Sequence, residues 1–65
     1  MKLSKIYKVE HRRFRYNYDN ALLCWIDENG EVIDEIGLNR DNWKEDPQGW
    51  CEEYSARIDE ELMYL

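Results

Sequence analysis

The amino-acid sequence predicts an α+β domain: a small antiparallel β-meander of three or four strands packed against one C-terminal amphipathic helix. Three observations carry that expectation. Phe14-Arg15-Tyr16-Asn17-Tyr18 alternates apolar and polar residues with the period of a half-buried strand. Asn29-Gly30 stands between two apolar runs, a strong local hairpin signal. Trp50, Tyr54, Ile58 and Leu62 recur at every fourth position, as on one face of a helix. Sixty-five residues allow a single domain, divided as sheet (1–36), connecting loop (37–46) and helix (47–65).

Residues 3–18 open the sheet. Tyr7 and Val9 share one face of a strand-like stretch and Ile6 and Lys8 the other. The polar Glu10-His11-Arg12-Arg13 is either a turn or the middle of one bent strand, so residues 3–18 read as one strand or two. Asp19-Asn20 then turns the chain into Ala21-Leu22-Leu23-Cys24-Trp25-Ile26.

Asp27 to Glu31 leads to Val32-Ile33-Asp34-Glu35-Ile36, and two registers compete. A two-residue Asn29-Gly30 loop sets Ile26 against Ile33 but Trp25 against Asp34. A three-residue Glu28-Asn29-Gly30 loop, with Gly30 left-handed, sets Ile26 against Val32, Trp25 against Ile33 and Leu22 against Ile36. Apolar side chains then face apolar ones, which favours the second.

Residues 37–46 are polar apart from Trp43 as the one large apolar residue, and Asn39 or Asp41 suits the cap of a single helical turn. Asp46 is a good N-cap and Pro47 suits the first helical position, so the final helix covers about 47–64. Cys51 and Leu65 complete its apolar stripe, opposite Glu52, Glu53, Asp59 and Glu60.

The favoured register places Leu22, Cys24, Ile26, Val32 and Ile36 on one sheet face. Leu23, Trp25 and Ile33, joined by Phe14 and Tyr16, take the other. One helix covers one face, so the second is either closed by the Trp43 loop or left for a partner.

Catalytic and metal signatures are missing from the sequence. His11 lies in an exposed-looking basic stretch, neither cysteine stands beside a local base, and the acidic doublets read as a solvated helix face. No Cys-x-x-Cys, His pair, calcium loop or glycine-rich phosphate cradle occurs. The expectation is no enzyme, no cofactor and no metal. The first residues hold no apolar run long enough for a secretory or membrane segment, which predicts a cytoplasmic protein without a membrane partner. In that setting Cys24 and Cys51 read as small buried residues.

Charge is the informative feature. Residues 1–16 carry six Lys/Arg against Glu10, a net +5, and residues 17–65 carry three against fourteen Asp/Glu, a net −11. The cations either neutralise those acids across the sheet or leave them facing outward as a coherent patch. The second case predicts a non-enzymatic module that occupies a basic, nucleic-acid-handling surface of another protein. By analogy of size and charge alone, such modules include the anti-CRISPR and anti-restriction counter-defence proteins carried by phages, which act in the host cytosol. The residues expected to meet the partner are Asp34, Glu35, Glu45, Asp46, Glu52, Glu53, Asp59 and Glu60, anchored by an exposed Trp43 or Tyr64. One alternative is a self-associating accessory or structural subunit joined through the uncovered sheet face. Another is direct nucleic-acid binding through the basic, aromatic Arg12–Tyr18 strand.

Overall fold

A computed structural model of the chain describes residues 2–63. It is the expected meander followed by the C-terminal helix. Strands β1 (Tyr7–Val9), β2 (Arg12–Asn17), β3 (Leu22–Ile26) and β4 (Val32–Gly37) form one antiparallel sheet in sequence order. Residues 3–18 thus hold two strands. Glu10-His11 turns the chain between Val9 and Arg12, with Glu10 in the left-handed region at φ 57°. The segment before β1 runs along the edge of β2. Leu3 bridges Asn17, and Ser4 exchanges hydrogen bonds with the backbone of Tyr16 through both its amide and its hydroxyl.

The β3–β4 turn forms as its residues dictate. The Asp27 carboxylate accepts from the amides of Asn29 and Glu31, the Asp27 carbonyl accepts from Gly30, and Gly30 takes φ 87°. Ile26 accordingly faces Val32. One residue further the expectation fails. A bulge shifts the ladder, so that Trp25 faces Asp34, Leu23 faces Ile36 and Leu22 faces Gly37. Ile33 is the extra residue, and beyond it the ladder follows the register of the two-residue loop.

Because side chains alternate with period two, that single step moves Ile36 to the opposite face from the one expected. It packs into the core with Leu23 instead of joining Leu22, Cys24 and Ile26. Ile36 takes the place on the covered face expected of Ile33, and β4 leaves Val32 and Ile33 about half exposed.

Helix α1 (Arg40–Glu45) is capped by Asn39, whose side chain accepts from the Asp41 amide. Helix α2 (Pro47–Met63) starts after Asp46, whose carboxylate accepts from the Gly49 amide. Both helices lie on the same face of the sheet. The core is Phe14, Tyr16, Leu23, Leu38, Trp43, Cys51, Tyr54 and Ile58, with Tyr7, Val9, Trp25, Ile36 and Trp50 packed around it. Leu62, expected in the buried stripe, is 54% exposed: the buried residues of α2 end at Ile58. Leu65 lies outside the described residues.

Trp43 is the centre of this core and only 1% exposed, not an exposed anchor. Its ring stacks flat on Tyr16, with centroids 4.7 Å apart and planes 8° from parallel. It meets Tyr7 edge-on at 5.3 Å. Both are favoured arrangements for a pair of rings. The indole N–H donates to the Tyr18 hydroxyl at 3.1 Å. The Trp43 segment therefore does not close the second sheet face. It supplements α2 on the first, and neither helix covers the face of Leu22, Cys24 and Ile26.

Candidate protein-binding surface

The acidic residues separate into groups once folded. Glu45 ends α1, Asp46 caps α2, and Glu53 lies on the α2 surface nearby. With Gly49 and Trp50 they line an open cleft of about 300 Å³. Glu52 and Glu60 are exposed on α2, and Asp34 and Glu35 are exposed on the edge strand β4. Trp50 stays half-buried beside the cleft, its indole N–H donating to the Asn42 carbonyl at 2.8 Å. The cleft gathers Glu45, Asp46 and Glu53 because Asp46 alone separates α1 from α2.

Two expected contact residues play other parts. Trp43 is buried, and Asp59, although 56% exposed, is paired with Arg12 of the same chain. The buried Arg12 guanidinium donates to the Asp59 carboxylate at 2.8 Å and to the Ser55 hydroxyl at 3.0 Å. It also lies over the Trp25 ring, 5.6 Å from the centroid, where the face of the indole attracts a cation. Tyr64 falls outside the described residues. No motif in the sequence singles out Arg12 or Ser55, though the period-two spacing of Arg12, Phe14 and Tyr16 does place all three on one face.

The cations do not cancel the acids pair by pair. Among the described residues Arg12–Asp59 is the one ion pair. Arg40 is spent on backbone, donating to the carbonyls of Tyr18 and Asp19 at 2.6 and 2.9 Å. Lys2 and Lys5 lie over the rings of Tyr18 and Tyr7. Arg13 and Arg15 emerge on the sheet face away from the helices, because they alternate with the buried Arg12, Phe14 and Tyr16. Phe14 and Tyr16 are fully buried, so the basic strand offers neither ring for a base to stack on.

The uncovered sheet face has its own organisation. Its cross-strand rows are Arg13–Ile26–Val32, Arg15–Cys24–Glu35 and Asn17–Leu22–Gly37. Cys24 and Ile26 are only 7% and 4% exposed, Leu22 is half-buried and Val32 is 53% exposed. The Cys24 thiol lies 3.7 Å from a Glu35 carboxylate oxygen. Burial, together with that carboxylate, raises the thiol pKa. With Leu3, Asn20 and Gly30 this face forms a shallow concavity of about 340 Å³. Cys51 sits in the core on the other side of the sheet, and both thiols are free.

No protein-family model, curated protein or solved structure matches the chain. No helix among the described residues is long and apolar enough to cross a membrane.

Proposed function

We propose that this domain is an acidic protein-binding module whose exposed helical carboxylates engage a basic surface of a partner that handles nucleic acid. One observation carries the proposal. A single ion pair is made among the described residues, so Glu45, Glu52, Glu53 and Glu60 face water without a cationic partner, as does Asp46 apart from its cap on the Gly49 amide. Carboxylates projecting from a rigid helix and its capping turn steer association with a cationic groove. Long lysine and arginine side chains adapt to their spacing.

The test is capture of a basic protein by the domain, followed by competition between the domain and a duplex oligonucleotide for that protein. Glu52→Lys, Glu53→Lys and Glu60→Lys together should abolish both capture and competition while leaving the melting temperature nearly unchanged, since all three side chains are exposed. Asp59 is left intact because it holds Arg12. Capture that survives the triple reversal, or a partner that binds the domain and the oligonucleotide together, rejects the proposal.

A further inference from the structure

The uncovered sheet face divides its charge by strand. β2 contributes Arg13 and Arg15, β3 contributes the apolar line Leu22–Cys24–Ile26, and β4 contributes Val32 and Glu35. Arg15 and Glu35 lie in one cross-strand row with Cys24 between them. Two strand spacings set their backbones roughly 10 Å apart. They make no ion pair with each other. The Arg15 Nε is nevertheless buried and has no hydrogen-bond partner within the described residues. That nitrogen leaves the Arg15 charge without an acceptor in its own protomer, and the half-buried side chain presents the charge at the sheet face.

From this pattern we infer that the face binds a second copy of the chain, in a two-fold dimer whose axis runs along β3. Rotation about that axis lays β2 of one protomer over β4 of its partner and β3 over β3. Each Arg15 then meets the Glu35 of the partner subunit, and the exchange happens twice. Leu22, the half-buried residue of that line, packs against its own copy at the midline, while Cys24 and Ile26, already 7% and 4% exposed, lie beneath the contact. A two-fold axis across the strands would instead stack arginine on arginine and glutamate on glutamate. The division of charge therefore selects both the occupant and the direction of the axis. Pairing of two β4 edges is disfavoured by the same logic, because it would bring Asp34 and Glu35 against each other. The dimer surface lies on the opposite side of the sheet from the α2 carboxylates, so it stands or falls independently of the partner proposed above.

Sedimentation of the purified domain tests this. At about 100 μM, within reach of a small interface with two ion pairs, the mass should approach twice 8.0 kDa and fall toward 8.0 kDa on dilution. Arg15→Glu and Glu35→Arg should each weaken self-association by about tenfold or more, since each sets like charges face to face. An equimolar mixture of the two variants should recover the doubled mass. In the mixed dimer the introduced glutamate faces the introduced arginine, and the native Glu35 of one chain faces the native Arg15 of the other. Glu35 is exposed, so Glu35→Arg folds regardless of how Arg15→Glu behaves, and its loss of dimer alone is a sufficient reading. A monomeric wild-type domain, a dimer indifferent to Glu35→Arg, or a mixture of folded variants that stays monomeric overturns the inference.

Discussion

The Arg12 guanidinium and the Asp59 carboxylate meet at 2.8 Å with one partner 5% exposed and the other 56% exposed. That asymmetry makes Arg12 the costlier residue to disturb. Its charge is buried against Ser55 and Trp25, and Asp59 is the carboxylate that compensates it. Arg12→Ala should cost about 3 kcal/mol, since it opens a void and removes every one of these contacts. Asp59→Ala should cost about 1 kcal/mol, because water reaches the vacated side of the pair. Urea denaturation of the two variants measures the order, and equal losses would contradict the asymmetry.

Trp43 sits at the meeting point of sheet and helices. Trp43→Ala should remove about 3–5 kcal/mol, comparable with the whole stability of a domain this small. The variant should be largely unfolded at room temperature by circular dichroism. Trp43→Phe keeps a ring against Tyr16 and gives up the bond to Tyr18, so it should fold with a lowered melting temperature.

The Tyr54 hydroxyl is buried and makes no hydrogen bond among the described residues. Tyr54→Phe deletes an unsatisfied polar atom and keeps the ring against Phe14. It should leave stability unchanged or raise it by up to about 1 kcal/mol. A clear loss in chemical denaturation would reveal a partner for that oxygen.

The same residue shapes the alkaline limit. Burial, reinforced by Asp34 and other nearby acidic groups, pushes the Tyr54 pKa from 10.0 to about 12. Burial, reinforced by Glu52, pushes the Cys51 thiol from 9.0 to about 12. Both groups hold their protons more tightly when folded. Their contribution is therefore whole below about pH 9 and drains away as the pH climbs toward 12. Melting temperature should fall across that window, and Tyr54→Phe should flatten the upper part of the fall.

Thiol chemistry should follow the same burial. At about pH 8 neither cysteine is appreciably ionised in the fold, so a disulfide reagent should label both slowly. Cys51 should react only as fast as the domain opens, whereas Cys24, on the uncovered face, should react first. Labelling of Cys24→Ser and Cys51→Ser variants separates the two rates.

Local chemistry makes much of this legible in the sequence. Asp27 and Gly30 build their turn, Asn39 and Asp46 cap their helices, and the recurrence from Trp50 to Ile58 faces the sheet, all because these effects act within a few residues. The bulge at Ile33 is not legible. Both registers satisfy the same turn, and the choice between them is made by packing of Ile36 against Leu23 and the helices. Arg12 and Trp43 mislead for a related reason. Charge marks a residue for solvent and a polar neighbourhood marks a loop as open, until an aromatic core turns out to need both side chains. At the surface, the sequence displays the segregation of charge along the chain. It holds no sign that Arg15 and Glu35 flank Cys24 in one cross-strand row, since that depends on three strands arriving in register.

The spare residue in β4 gives the hairpin an unused length. Val32 already faces Ile26 and Asp34 already faces Trp25, so a chain without Ile33 would keep every pairing from the turn to Gly37 and every side chain on its present face. The strand thus tolerates a deletion that elsewhere in the sheet would turn it inside out, and a version of this domain one residue shorter should fold to the same architecture.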